Sequence, residues 1–186
     1  MMPPLRLRLP LLRGFVVAAM ALAALGAGAA RAADSIEEAR VKAVFILNFI
    51  KFTGWPDGQD VTTQTLTLCV TGDYPLAGQL NALDGRNVQG RQLRLQPLDA
   101  TGGEAACDVI FADRTDAATL DSLRLLANQR ATLTVSDQPG FLAHGGMIEL
   151  KIVDGRIRFD INLAAARAAN LMLSSQLLQL ADQVVQ

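Results

Sequence analysis

The chain carries a single histidine, His144, in the segment AHGGM. An imidazole is a general base near neutral pH, but base catalysis also needs a nucleophile or acid partner and a group that orients the ring. No spacing around His144 supplies them. One histidine is also too few for the clustered ligands of a zinc site. The segment GDYPLAG lacks both the P-loop lysine and the three-glycine dinucleotide pattern. Gly145-Gly146 has no predicted helix N-terminus behind it to reinforce an anion site, so these glycines read as a turn into the next strand. Asp73, Asp113 and Asp137 each follow a predicted strand, where open α/β sheets bind ligands. Aspartate also favours such turns for its own backbone bonds, so both readings stand. No catalytic residue, metal ligand or cofactor is assigned.

The remaining reactive residues are Cys69 and Cys107, and their chemistry depends on the compartment. Arg6, Arg8 and Arg13 precede an unbroken run of apolar and small residues from Phe15 to Ala30, and Ala30-Arg31-Ala32 has the small-x-small form of a cleavage site. That is the layout of a secretory signal peptide, cleaved near Ala32. The alternative is a retained anchor, for which this Ala- and Gly-rich core is short. In an oxidising compartment the cysteine pair reads first as a disulfide, with two buried free thiols as the alternative.

Removing residues 1–32 takes away four arginines and no acid, so the formal net charge moves from −1 to −5. Nucleic acid and anionic lipid surfaces call for clustered Lys and Arg, and this sign argues against them as partners. The most apolar mature segment, KAVFILNFIKFTGWP at 42–56, is too short and interrupted to span a bilayer, so no direct membrane insertion is expected after cleavage.

These residues must be held by a regular scaffold. Ser35 and Glu38 fit a capping box ahead of a helix over Ile36–Ile50, apolar on nearly all sides after Val41 and therefore buried on more than one face. Gly54 and Trp55-Pro56 stop it. Strands are expected at Thr65–Thr71, Gln92–Leu98, Asp108–Ala112 and Ala131–Val135, with helices at Pro75–Leu83 and Asp116–Asn128. Strands alternating with helices imply crossovers and a largely parallel sheet. Asp154-Gly155 then joins Met147–Ile152 to Arg156–Ile161 as a tight hairpin that forms an antiparallel edge. Leu163–Ala169 reads as a short helix ending at Asn170. Ser174-Ser175 caps a final helix with apolar spacing through Val184. The expected fold class is α/β, a single compact domain over residues 33–186, with a largely parallel sheet flanked by helices and a C-terminal antiparallel hairpin.

Three stretches, KAVFILNFIKFTGWP, VSDQPGFLAHGGMIEL and GRIRFDINLAAARAANLMLSSQLLQLA, in that order over about residues 36–182, resemble the YfiR family of periplasmic proteins. The resemblance implies a periplasmic negative regulator. It would bind the periplasmic sensor domain of a membrane-spanning diguanylate cyclase and hold it inactive, lowering cyclic di-GMP and biofilm formation. It further implies a compact α/β fold, the capacity to form a homodimer, and a structural role for Cys69 and Cys107. Some members carry a second cysteine pair near the SDQPGF block; this chain has none there. The partner-binding residues expected on this basis are Ile157, Phe159, Asp160 and Asn162, on the late hairpin and the helix start after it. On Arg156–Ile161, Ile157 and Phe159 alternate onto one face and Arg156, Arg158 and Asp160 onto the other. A periplasmic small-ligand receptor coupled to a membrane kinase or transporter is the alternative; an exported hydrolase lacks a catalytic constellation.

Intact-mass analysis of the exported protein is expected to give a chain starting near Ala33, two mass units lighter than its fully reduced form. A full-length mass would overturn the cleavage.

Overall fold

The computed structural model describes residues 36–56, 64–71, 77–98, 106–113 and 116–186. The leader, its cleavage site, Ser35 and Asp73 lie outside the described residues. From Glu38 to Gln186 the chain forms one compact unit.

Helix α1 covers residues 36–51. Ala39, Ala43, Ile46, Phe49 and Ile50 recur at helical spacing and are buried, as is Leu47 beside them, whereas Val44 remains half exposed. The helix ends against two devices. Thr53 Oγ1 donates to the Phe49 carbonyl at 2.7 Å, and the Gln89 side-chain amide donates to the carbonyls of Lys51 and Thr53 at 3.0 and 2.9 Å. Carbonyls at a helix C-terminus have no partner within the helix, so a side chain from elsewhere satisfies them. Trp55 is then buried with the Arg91 guanidinium 5.3 Å above its ring.

The sheet is built from strands β2 (Thr65–Thr71), β4 (Arg91–Leu98), β5 (Val109–Ala112), β6 (Leu133–Ser136), β7 (Ile148–Val153) and β8 (Arg156–Asn162). The strands in the order β4-β2-β5-β6-β7 are parallel, and the sequence order reverses at β2 beside β5, the arrangement of a doubly wound sheet. The helices α2 (Ala77–Asn81) and α3 (Ala117–Arg130) fall between strands as expected. Asp116 caps α3 by accepting from Thr119 N–H, and Ala131 closes it in the left-handed conformation, so β6 starts two residues later than the alternation suggests. A short strand β3 (Asn87–Val88) folds back on β4 through Gln89-Gly90, both at positive φ, and gives that end an antiparallel edge that the sequence reading did not include.

One row of side chains crosses the sheet in register: Val70, Phe111, Val135, Ile148 and Ile161. With α1 it belongs to the main apolar cluster, joined by Leu163 and Ala166 of α4 (Leu163–Ala168) and Leu177 of α5 (Ser175–Leu180). Because strand side chains alternate, Ile110 and Ala112 face the other way and pack with Leu120, Leu123 and Phe141. Gly146 lies against Phe141 so closely that a Cβ would fall on its ring, which is why the turn after His144 uses glycine there.

The C-terminus departs from expectation. The final helix stops at Leu180, Ala181 is extended, and Gln183–Val185 form strand β10, parallel to β8 with Val184 opposite Ile161. The expected helix through Val184 is thus half strand: two β-branched residues beside an open sheet edge gain ladder hydrogen bonds there. Two short strands, β1 (Thr53–Gly54) and β9 (Met172–Leu173), pair separately and tie the end of α1 to the segment before α5.

Cys69 and Cys107 are disulfide-bonded, with Cα atoms 5.8 Å apart, and both are buried in the second apolar cluster. The bond closes a loop of 38 residues, worth about 4 kcal/mol on a chain-entropy estimate. Cys69→Ser with Cys107→Ser is expected to lower stability by up to about that amount. Native protein in mild reductant is expected to resist alkylation until denaturant is added; rapid labelling of both thiols without unfolding would contradict this burial.

Candidate partner-binding site

The β7–β8 hairpin turns through Asp154-Gly155, both at positive φ as a two-residue turn requires. Its base is built into the sheet, but its outer part is not. Strand β6 ends opposite Glu149, and β10 begins opposite Asp160. Between those points the hairpin has no neighbouring strand among the described residues. It stands out as a two-stranded ribbon carrying the cross-strand pair Ile152 and Ile157 on one face, with Ile152 55% exposed. Val153, Arg156 and Arg158 lie on the opposite face; both arginines are exposed.

The four residues expected to bind a partner have different surroundings. Phe159 is core: its ring lies 4.9 Å from that of Phe49 and 5.8 Å from that of Phe45, edge-on to both. Ile157 is half-buried beside that core. Asp160 is largely enclosed, its Oδ2 2.8 Å from the Lys151 ammonium. Asn162 caps α4 by accepting from Ala165 N–H at 3.0 Å. The structure therefore brings the four together along one strand but leaves Ile157 closest to the open end, with Ile152, Val153, Arg156 and Arg158 around it.

Lys151 also contacts Asp182 at 2.7 Å, so one ammonium joins β7, β8 and the segment entering β10. The Lys151 ammonium is held above its ordinary range by the hydrogen bond to Asp160 and then by that to Asp182. Reciprocally, the Asp182 carboxyl is held below its ordinary range, chiefly by the bond from Lys151. Nothing in the local spacing of Asp182 signals this clamp, because it depends on the C-terminal segment becoming a strand.

Of the other sequence candidates, Asp137 and Asp113 are engaged within the fold. Asp137 accepts from the Lys42 ammonium at 2.6 Å; Glu38 does so at 2.5 Å. Burial pulls the Lys42 ammonium down, and the bonds to Asp137 and Glu38 outweigh it. Asp113 is buried, its N–H donating to Thr71 Oγ1 at 2.9 Å. His144 is exposed in a 3₁₀ turn, Leu142–His144. No helix among the described residues is long and apolar enough to cross a membrane.

The sequence model of the YfiR/HmsC-like family matches residues 39–182, from within α1 to the residue before β10. The chain belongs to the YfiR/HmsC-like family. That is a family of periplasmic regulators, which places this chain among regulators at the level of the family. No curated protein matches the chain. It is similar to a solved structure described as a conserved domain protein from Vibrio cholerae O1 biovar eltor str. N16961, with 16% identity and a TM-score of 0.49, over 63% of this chain and 54% of that one. The chain thus spans about half the length of that structure.

Phe159→Ala is expected to cost roughly 3–5 kcal/mol, because it opens the centre of the aromatic cluster. Asp160→Lys is expected to lower the melting temperature as well, since it sets two ammonium groups against each other beside Lys151. Thermal unfolding checks both, and a native melting temperature for either would refute the packing described.

Proposed function

We propose that the mature protein, residues 33–186 after cleavage of a signal peptide over 1–32, is a periplasmic negative regulator. It binds the periplasmic domain of a membrane-bound diguanylate cyclase and holds it inactive, which lowers cyclic di-GMP and biofilm formation. The family match over residues 39–182 carries this reading. The projecting hairpin supports it, because it presents apolar and cationic side chains on a ribbon the sheet does not complete. Ile157 and its neighbours on the ribbon are the proposed contact; Phe159, Asp160 and Asn162 position them from the core, the Lys151 clamp and the α4 cap.

Mechanistically the regulator need only bind the inactive state more tightly. Moving a cyclase from 99:1 active to 1:99 takes a differential affinity of about 10⁴, roughly 5.5 kcal/mol.

A second reading, a small-ligand receptor coupled to a membrane kinase or transporter, rests on a shallow groove of ≈ 330 Å³ beside the β1–β9 pair, lined by Lys51, Gly54, Gln89, Met172 and Ser174 among others. The two readings separate cleanly. The regulator is expected to co-purify with the periplasmic domain of a membrane-bound diguanylate cyclase of its own organism in buffer free of metabolites. Absence of that complex, together with a thermal shift on one metabolite, would establish the receptor instead.

A further inference from the structure

The register of the hairpin says which of its backbone groups are free to take a partner. Val153 faces Arg156 across the two-residue turn, Lys151 faces Arg158, and Asn162 N–H donates to the Met147 carbonyl at 2.8 Å. These odd-numbered β7 and even-numbered β8 residues direct their polar backbone groups into the hairpin, since in an antiparallel ladder bonded pairs alternate with non-bonded ones. The intervening residues, Ile152 on β7 and Ile157 on β8, therefore turn their N–H and carbonyl groups outward. At Phe159 the outward carbonyl is taken by Asp182 N–H at 2.9 Å, and β10 follows from there. Opposite Ile157 no strand follows among the described residues.

The other end of the sheet is treated differently. There β4 is covered by β3 and carries Pro97, and Leu95 N–H is capped by the Asp84 carboxylate at 2.9 Å. Such devices blunt a sheet edge against pairing with another chain. The outer hairpin ribbon has no covering strand among the described residues and no proline. Its only such device is the charge of Arg156 and Arg158, which an acidic strand would match, and its Ile152, Val153 and Ile157 are the β-branched type that favours a strand neighbour.

Building on the proposed regulator–cyclase contact, we infer that the open flank of β8 at Ile157 receives an extended, acidic segment of the partner's periplasmic domain as an added strand. Charge chooses both the flank and the occupant. A strand added beside β8 sets alternate side chains next to Arg156 and Arg158, which are exposed, and the intervening ones over Ile157. A strand beside β7 would meet Lys151, already engaged by Asp160 and Asp182, and Val153. Two exposed arginines on a mature chain of formal charge −5 select carboxylates, and alternation of acidic with apolar residues suits the two faces of the ribbon.

The test is affinity of full mature protein for the purified periplasmic domain of the membrane-bound diguanylate cyclase with which it co-purifies, at low and high salt. Four proteins are compared: wild type, Arg156→Glu with Arg158→Glu, Ile157→Pro and Ile152→Pro. Each proline removes one outward N–H and no hairpin hydrogen bond, so Ile157→Pro obstructs the β8 flank and Ile152→Pro the β7 flank. Thermal unfolding of each variant confirms that it is folded. Wild-type affinity is expected to weaken with salt, the double charge reversal to lose at least tenfold, and Ile157→Pro to lose far more than Ile152→Pro. A peptide alternating Val and Glu is expected to compete, and one alternating Val and Lys to fail. Wild-type affinity in both the charge-reversed and the Ile157→Pro proteins would overturn strand addition while leaving the regulator intact. Loss confined to Ile152→Pro would overturn the choice of flank. A wild type that binds no such cyclase domain at all would overturn the regulator reading and this one with it.

Discussion

The edge-on contact of Phe49 with Phe159, 4.9 Å between ring centroids, is the junction on which the rest of the fold depends. It joins the first described helix to a strand more than a hundred residues later, and Phe45 closes the same cluster from the next turn of the helix. A helix this apolar cannot remain in water, so it needs an apolar sheet face beneath it and further elements beside it. The row from Val70 to Ile161 supplies the face, and Leu163, Ala166 and Leu177 supply the flank. Aromatic packing of this kind is directional, so the contact favours one orientation of the two rings as well as their burial.

With α1 placed, the polar contacts around it acquire definite jobs. Lys42, only 9% exposed, is tolerable because Asp137 and Glu38 share its charge, and removal of either carboxylate would leave part of a buried cation unmatched. Gln89 satisfies carbonyls at the other end of the helix. Asp137 and Gln89 both come from segments at strand ends, so loops hold α1 at Lys42 and at its C-terminus, and the core holds it along its length.

The hairpin shows the same division between anchored base and free end. Inward, it is secured by Phe159 and by the Lys151–Asp160–Asp182 clamp. Outward, it presents side chains that no neighbouring strand covers among the described residues. A rigid base under an unfilled edge would suit the proposed recognition, because a partner strand would meet a ribbon already in the right conformation and less ordering entropy would be lost on binding.

Local pattern determined a good deal. Apolar spacing located α1, β-branched runs located β2, β5 and β6, and Asp154-Gly155 marked the hairpin turn, because these depend on side-chain period and on residues that accept positive φ. Three quoted segments also identified the family that the match over 39–182 shows. What the sequence could not decide were matters of neighbourhood. Val184 reads from local pattern as the end of an amphipathic helix, and it became strand because β8 had an open edge beside it. Asp137 and Asp160 looked like free turn or surface carboxylates, and their lysine partners arrive from residues 95 and 9 positions away. Phe159 alternated correctly onto the inner face, but only the packing of Phe45 and Phe49 against it made it core rather than contact surface. Backbone preference acts within a few residues, whereas burial and charge pairing are settled by whichever distant groups the fold brings within reach.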